Sequence, residues 1–333
     1  MVTIRQVAES AQVSPGTVSQ LLNGRAKLRP ETRQRIERAI DRLGYRRRRA
    51  GRPRVNHPHH HFGMLVSSPP STAVPTHPLH RRRINHLRET FTGNGDQFSL
   101  LPANMPVDEN WAFGDAIRSG HIDGVIMDGH AEARGYAAWL REQRVAHVVL
   151  ERTPAMREFS CVCVDGVTGG QLAAEHLIER GRTRLAYVHP HREFSWTHER
   201  RHGFFTTSAR SGLEPVGVWR FDPDGADDER LDVCAALCEQ RIDGVFASSD
   251  GLAIKLIDGL EHHGATVPGD IAVVGFDNLE LASASGLRPT SIAYDHRKIA
   301  QAVMRTIKQL LNDPVTSALA TYLRPTLAPH DTT

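Results

Sequence analysis

The sequence predicts a multidomain protein: an all-α helix-turn-helix domain at the N-terminus, followed by an α/β body of two lobes. Short amphipathic helical patterns fill residues 3–44, whereas from residue 62 onward short apolar runs alternate with helical patterns. Such alternation is typical of parallel sheets with helices on both faces. The apolar runs are too numerous for one small sheet, so two α/β lobes are expected, with a ligand between them.

Charge divides the chain in the same way. Residues 1–55 contain 14 Arg and Lys against 4 Asp and Glu, a net charge of +10, whereas the formal net charge of all 333 residues is +3. Residues 56–333 therefore have a net charge of −7. A basic N-terminal segment on an acidic body indicates a protein that binds nucleic acid through that segment alone.

The basic segment predicts three short helices. The apolar residues within 4–11 have helical spacing, Ser14 is suited to cap a second helix from Pro15 to Leu22, and a third helix runs from about Pro30 to Leu43. Two helices joined by a tight turn and braced by a third form a helix-turn-helix, whose second helix enters the major groove. The alternative is a small helical bundle without a ligand, which the basic charge disfavours.

Residues 2–45 resemble the lactose/galactose repressor family of bacterial transcription regulators, through TIRQVAESAQVSPGTVSQLLNG and PETRQRIERAIDRLGY. The resemblance implies base-reading positions near the start of the second helix, phosphate contacts that set register without reading sequence, and a loop contact from a lysine. The residues expected to bind DNA in this domain are Ser14, Pro15, Gly16, Thr17, Gln20, Asn23, Lys27 and Thr32.

Two residues depart from the family pattern. Gln20 stands where the family usually has Arg, and Gln suits adenine N6/N7 whereas Arg suits guanine O6/N7. We therefore expect the operator to differ from the family consensus at that base pair. Arg29 replaces the usual Ser or Thr cap of the third helix, so the start of that helix is less well capped.

A basic arm follows the helix-turn-helix. In the family this arm forms a hinge helix, and a Leu from each subunit enters the minor groove; here that position is Arg54. Gly51 and Pro53 disfavour a helix. Gly51-Arg52-Pro53, flanked by Arg49 and Arg54, instead resembles an AT-hook, which lies in a narrow A·T minor groove. The alternative is a basic linker that makes phosphate contacts only.

The changes in charge and in helix and strand pattern along the chain predict the domain boundaries. We expect a DNA-binding domain at 1–45, the arm at 46–61, and an effector-binding and dimerisation domain at 62–333. The last domain resembles the family's effector domain, which is similar to periplasmic sugar-binding proteins. By that resemblance the first lobe contains about 62–158 plus 291–315, and the second about 159–290 plus 316–330, with a final strand near Thr321–Leu327.

The same resemblance implies an effector site between the lobes. The residues assigned to it are Ser68, Glu151, Trp196, Arg200, Phe221, Ser249, Asp250 and Asp277. Arg and Asp side chains can make charge-assisted hydrogen bonds to the hydroxyls of a small molecule, and aromatic rings can stack on the apolar face of a sugar. The expected effector is therefore a sugar or a derivative. The alternative for the Arg and Asp residues is a helix cap or a surface pair.

The function expected from these features is transcription regulation, most often repression in this family. A cytoplasmic homodimer would bind a near-palindromic double-stranded DNA operator, A·T-rich at the minor groove, under the control of the effector. The alternative is a constitutive or architectural binder of A·T-rich DNA whose body only dimerises. An enzyme is not expected, because G-x-S-x-G and P-loop motifs are absent, and the sequence suggests no cofactor.

Other segments have simpler interpretations. No apolar run approaches the ~18 residues of a membrane span, and no signal peptide opens the chain. The histidines within His57–His61 indicate a solvated linker, with a metal site as the alternative. The four cysteines, which include the alternating Cys161 and Cys163, are expected to be reduced thiols, with redox or metal sensing as the alternative.

Overall fold

Two units make up the chain: Met1–Pro58, termed the head, and His59–Thr333, termed the body. The computed structural model describes residues 4–22, 29–43, 59–66, 77–103, 114–129, 133–151, 156–312 and 318–333. Within those ranges no helix is long and apolar enough to cross a membrane.

Three helices form the head: α1 (Ile4–Ala11), α2 (Pro15–Leu22) and α3 (Pro30–Leu43). Gln12 has a positive φ of 53°, which turns the chain between α1 and α2. The apolar faces of the helices meet in one small core, because the residues with helical spacing are those that are buried. That core consists of Val7, Ala8, Ala11, Val18, Ile36 and Ala39, with partly buried residues around it. The predicted helix-turn-helix is confirmed.

Strands and helices alternate along the described body. The strands are β1 (His61–Val66), β2 (Gln97–Pro102), β3 (Gly124–Asp128), β4 (Ala146–Leu150), β5 (Cys161–Val164), β6 (Leu185–His189), β7 (Gly217–Arg220), β8 (Gly244–Ala247), β9 (Ala272–Phe276), β10 (Thr290–Ala293), β11 (Ala320–Leu323) and β12 (Thr326–Ala328). The helices are α4 (Pro78–Gly93), α5 (Gly114–Arg118), α6 (Ala133–Glu142), α7 (Gly166–Glu179), α8 (Ser195–Arg210), α9 (Asp227–Glu239), α10 (Asp250–His262) and α11 (His296–Asn312).

The strands form two six-stranded sheets, one for each lobe. Their orders are β11-β5-β4-β3-β1-β2 and β12-β10-β9-β8-β6-β7. The described pairings are parallel, except that β12 runs antiparallel to β10. Because parallel strands end at the same edge of a sheet, the loops that follow them are brought together there. The predicted two-lobed α/β fold is confirmed.

Sheet pairing corrects three expected lobe boundaries. The strand β5 pairs with β4 and β11 in the first sheet, whereas a second lobe starting at residue 159 would contain it. The strand β10, which was not expected, pairs with β9 in the second sheet. The final strand expected near Thr321–Leu327 is two strands, β11 in the first sheet and β12 in the second. Pro325 separates them, because proline has no backbone amide to donate to a strand ladder. Strand partners depend on distant segments, which local patterns do not specify.

The arm was expected to extend to residue 61, but the body begins at His59. His61 starts β1, and its backbone amide donates to the Asp123 carboxylate at 2.8 Å. The backbone amide of His60 donates to the Asp96 carboxylate at 2.9 Å. His57 lies outside the described residues. Among the residues that the structure describes, no group of three or more His, Cys, Asp and Glu side chains could hold a metal ion.

Thr332 ties the last described segment to the second sheet. Its side chain is fully buried, its hydroxyl donates to the carbonyl oxygen of Val273 at 2.6 Å, and it accepts from the backbone amide of Thr290 at 2.9 Å. The backbone amide of Val273 donates to the carbonyl oxygen of Thr332 at 2.9 Å. The segment therefore satisfies polar groups of β9 and β10 that would otherwise be buried without partners.

We expect Thr332→Val to lower the free energy of unfolding of the body by about 1–3 kcal/mol, because it removes the hydroxyl but keeps the shape. The amide of Thr290 would then be buried without an acceptor. Urea unfolding followed by tryptophan fluorescence measures the change. Thr326→Val, at an exposed position of β12, is the matched control and should stay within about 0.5 kcal/mol. Equal unfolding midpoints for the two variants would contradict the assignment.

Candidate functional site

A cavity of about 250 Å³ lies in the body where the carboxyl ends of strands from both sheets meet. From the first sheet, Asp128 ends β3 and Glu151 follows β4. From the second sheet, Pro190 follows β6, Ser249 follows β8 and Asp277 follows β9. The fold therefore brings loop residues from both lobes to one cavity, where a small molecule can contact both.

On the side of the first lobe, the cavity contains a buried arginine from α4. Arg83 lies one helical turn before Leu87, on the face that α4 buries. Its Nη1 donates to Asp128 Oδ1 at 2.7 Å, and its Nη2 lies 3.8 Å from Glu151 Oε1. His80 Nδ1 lies 3.2 Å from Asp128 Oδ2. Burial alone would lower the pKa of Arg83, but Asp128 and the neighbouring groups raise it above its ordinary value, so this arginine stays charged.

On the side of the second lobe, a buried arginine comes from α8. Arg200 donates to the carbonyl oxygen of Ser248, and its Nη2 lies 3.9 Å from Asp277 Oδ1. The guanidinium carbon lies 3.4 Å from the ring centroid of Phe276, within the range of a cation–π contact. The hydroxyl of Tyr294 donates to Asp277 Oδ1 at 3.0 Å. Burial raises the pKa of Asp277, although Arg200 opposes the shift.

Aromatic rings form an apolar wall beside this arginine. The rings of Phe194 and Trp196 are stacked, with centroids 5.1 Å apart and an interplanar angle of 9°. Trp196 lies one helical turn before Arg200 in α8, and the guanidinium lies 4.5 Å from the Trp196 ring centroid. A flat apolar face beside clustered charged groups suits a ligand with both hydroxyls and an apolar ring face.

Glu151 occupies a backbone position that is uncommon for its residue type. Its φ is 52°, and its Oε1 accepts from the backbone amide of Val164 at 3.2 Å. Burial raises the pKa of the Glu151 carboxyl to about 7, while Arg83 and Arg200 oppose the shift. Glu151 can therefore act either as a carboxylate acceptor or as a protonated donor near neutral pH.

The structure brings five of the expected effector residues to the cavity. These are Glu151, Trp196, Arg200, Ser249 and Asp277. Ser249 also caps α10, since its hydroxyl accepts from the backbone amide of Leu252 at 3.3 Å. Ser68 lies outside the described residues.

Two expected effector residues have other positions. Phe221 is buried in the core of the second lobe with Val188 and Val245. An aromatic residue that follows a strand can turn toward the core as well as toward a cleft, and the sequence does not distinguish the two. Asp250 is buried at the start of α10 and does not line the cavity. Its carboxylate accepts from the backbone amide of Leu279 and from the hydroxyl of Ser291, each at 2.7 Å, so it holds the loop after β9 in place.

Several cavity residues were not expected from the sequence. They are His77, Leu79, His80, Arg83, Asp128, Gly129, Pro190, Phe194, Pro223, Leu252 and Tyr294. The sequence contains an indication of the role of Arg83. It lies four residues before Leu87 and eight before Phe91, on the apolar face of the helix, where a buried charged side chain must be paired. Asp128 is indicated by its position as a carboxylate at the carboxyl end of a buried strand.

In the head, the candidate DNA-reading surface is the start of α2. Pro15 and Gly16 are exposed, Thr17 is partly exposed, and the backbone amide of Thr17 donates to the Ser14 hydroxyl at 3.0 Å. Gln20 lies on the same helix, and Thr32 is partly exposed in the first turn of α3. The other residues expected to bind DNA lie outside the described residues: Asn23, Lys27, Arg49, Gly51, Arg52, Pro53 and Arg54.

Two family models match the chain. Residues 3–48 match the bacterial regulatory proteins of the lacI family, and residues 174–333 match a periplasmic binding protein-like domain. Among curated proteins, the transcriptional regulator CelR of Thermobifida fusca is 27% identical over 329 residues, covering 96% of both chains.

Solved structures resemble the whole fold. A transcriptional regulator CelR–cellobiose complex superposes with a TM-score of 0.69 at 23% identity, covering 100% of both chains. The lac repressor dimer bound to operator and the anti-inducer ONPF superposes with a TM-score of 0.68 at 19% identity, covering 99% of this chain and 98% of that one. At these identities the superpositions establish the fold: a helix-turn-helix head and a two-sheet body.

Proposed function

This chain belongs to the lacI family of bacterial regulatory proteins, and we propose that it represses transcription under the control of a sugar bound between its lobes. The family consists of transcription regulators rather than enzymes. The observation on which the proposal depends is the body cavity, where Arg200 and Asp277 of one lobe face Arg83 and Glu151 of the other. A body that served only for dimerisation would have no need of buried charged groups around a cavity.

The effector is proposed to be a saccharide, because the cavity combines an aromatic wall with charged hydrogen-bonding groups. The stacked rings of Phe194 and Trp196 provide an apolar face, and the carboxylates of Asp277 and Glu151 can accept hydrogen bonds from hydroxyls. The solved CelR relative binds cellobiose, which makes cellobiose the first probe. Contacts from both lobes would favour the closed arrangement of the body.

DNA binding is assigned to the head. In this proposal α2 lies in the major groove, with Pro15, Gly16 and Gln20 at base edges and Thr17, Asn23 and Thr32 at phosphates. Ser14 caps the helix at the DNA surface, and Lys27 contacts DNA from the loop. Two heads in a homodimer would bind a near-palindromic operator, because dimer symmetry sets the spacing of the half-sites. Effector closure would then change the placement of the heads and so the operator affinity.

Operator selection tests the head. We select bound sequences from a random DNA pool with the full-length protein and with Gln20→Arg, then measure affinity by fluorescence anisotropy with and without cellobiose. The wild-type pool should converge on a palindrome with adenine at the base pair that Gln20 reads, and Gln20→Arg should change that preference to guanine by about 1–3 kcal/mol. An unchanged guanine preference in both pools would contradict the role of Gln20. Weak discrimination against random A·T-rich DNA, with no effect of any sugar, would favour the architectural alternative.

The arm is proposed to bind the minor groove as an AT-hook. Gly51-Arg52-Pro53 would lie extended in a narrow A·T groove, with Arg49 and Arg54 on its flanks. Arg52→Ala should then remove the preference for A·T pairs beside or between the half-sites and leave the half-sites unchanged. The matched control is Arg47→Ala, which removes the same charge outside the Gly-Arg-Pro core. If both variants retain the A·T preference, or if a central C·G step is selected throughout, the arm is a basic linker.

A further inference from the structure

The arginine and carboxylate side chains that line the cavity do not balance in charge, and His77, His80 and Tyr294 line it as well. Arg83 and Arg200 are positive, whereas Asp128, Glu151 and Asp277 are acidic. With these five groups ionised and both histidines neutral, the excess is one negative charge. A ligand that enters this space adds its own charge to that excess.

Both arginines already have acidic partners. Arg83 donates to Asp128 at 2.7 Å, and Arg200 lies 3.9 Å from Asp277 and donates to the carbonyl oxygen of Ser248. A phosphate or carboxylate on a ligand that bound either arginine would compete with one of these carboxylates for the guanidinium. An uncharged hydroxyl requires no such competition.

Glu151 is the third acidic group, and it shares Arg83 with Asp128. Arg83 Nη1 donates to Asp128 Oδ1 at 2.7 Å, whereas Arg83 Nη2 lies 3.8 Å from Glu151 Oε1, which accepts from the backbone amide of Val164. The charged groups that act on Glu151 are Arg83 on α4, Arg200 on α8 and Asp277 after β9. Burial raises its pKa to about 7. An anion bound beside Glu151 must therefore face a like charge or force the carboxyl to take up a proton.

We propose that Glu151 is a specificity-determining residue, which admits uncharged saccharides and excludes anionic ones such as sugar phosphates and sugar acids. The inference depends on the proposed saccharide effector and goes further, because it specifies that this saccharide is uncharged. Asp128 accepts the hydrogen bond from Arg83 and Asp277 lies beside Arg200, so the discrimination is assigned to Glu151, which has no arginine of its own and shares Arg83 with Asp128. In the Glu151→Gln variant the amide oxygen can still accept from Val164, while the negative charge is lost.

The test compares two pairs of probes by isothermal titration calorimetry at pH 8 with the full-length protein: cellobiose against cellobionate, and D-ribose against D-ribose 5-phosphate. In the wild type, for each pair of probes that binds, the uncharged saccharide should bind at least about tenfold more tightly than the anionic one. Glu151→Gln should reduce that ratio to about threefold or less. Glu158→Gln is the matched control, because Glu158 is an exposed residue of the first lobe that pairs with Arg134, and it should leave the ratio unchanged.

A pH series on the unmutated protein gives an independent readout. If Glu151 must take up a proton, the affinity for the anionic member should fall by up to about tenfold per pH unit above pH 7, while the affinity for the uncharged member changes much less. Tight binding of an anionic probe at pH 8, or an unchanged ratio in Glu151→Gln, would overturn the inference and leave the saccharide effector intact. Failure of all four probes to bind would count against the saccharide effector itself, and the inference would fail with it.

Discussion

Replacing Arg200 with methionine should weaken saccharide binding by about 2–4 kcal/mol, or about 30- to 1,000-fold. The buried guanidinium contacts the Trp196 and Phe276 rings and lies near Asp277. Methionine retains much of the apolar volume, but it removes the donors and leaves Asp277 buried without its cationic neighbour. Isothermal titration calorimetry with cellobiose or D-ribose measures the loss, and operator affinity should no longer respond to the sugar.

Arg210→Met is the control for this substitution. Arg210 is the last residue of the same helix, and it is exposed, so the loss of its charge should change saccharide affinity by less than about twofold. Asp277→Asn provides a second test if the arginine variant unfolds, because its amide oxygen can still accept from Tyr294. Saccharide affinity within twofold of wild type in both cavity variants would show that the cavity is not the effector site.

Gly170→Ala should destabilise the body by at least about 2 kcal/mol. Gly170 lies where α7 packs on α8, and a Cβ at this position would be 2.0 Å from the carbonyl oxygen of Arg200 and 2.8 Å from the amide nitrogen of Phe204. Both are backbone atoms, so the two helices would have to separate. Because α8 contains Trp196 and Arg200, that separation should also weaken saccharide binding.

Gly93→Ala is the matched control for the change in helix propensity that replacing glycine with alanine causes in any helix. Gly93 ends α4, and a Cβ there has no described atom within 4 Å, so alanine should be neutral or stabilising by up to about 1 kcal/mol. Urea unfolding compares both variants with wild type. A Gly170→Ala protein as stable as Gly93→Ala would contradict the close packing of α7 on α8.

The parts of the fold that sequence reasoning predicts are those determined locally. The helix α2 is determined by Ser14 at its cap, Pro15 in its first turn and the apolar residues behind it, all within one short segment. Its bounds agree with the prediction. Apolar runs likewise mark buried strands such as β8. Neither the bounds of α2 nor the position of β8 along the chain depends on the identity of a distant residue.

Strand partners and the final details of the cavity depend on distant residues. The strand β5 has the same apolar pattern in either lobe, and only its pairing with β4 and β11 places it in the first. Arg83 is brought to the cavity by Asp128, 45 residues later in the chain. Phe221 and Asp250 have residue types that suit a ligand site, but the core and the loop after β9 use them instead. Residue type alone could not distinguish these roles.

Reciprocal coupling between effector and operator is the most direct test of the account. Saccharide affinity is measured by calorimetry with and without the selected operator, and operator affinity by anisotropy with and without saturating saccharide. Thermodynamic linkage requires the two ratios to be equal, and we predict a common factor of about 5- to 150-fold that Arg200→Met abolishes. A factor of one in both directions, with a saccharide bound in the cavity, would show that the body does not control the head.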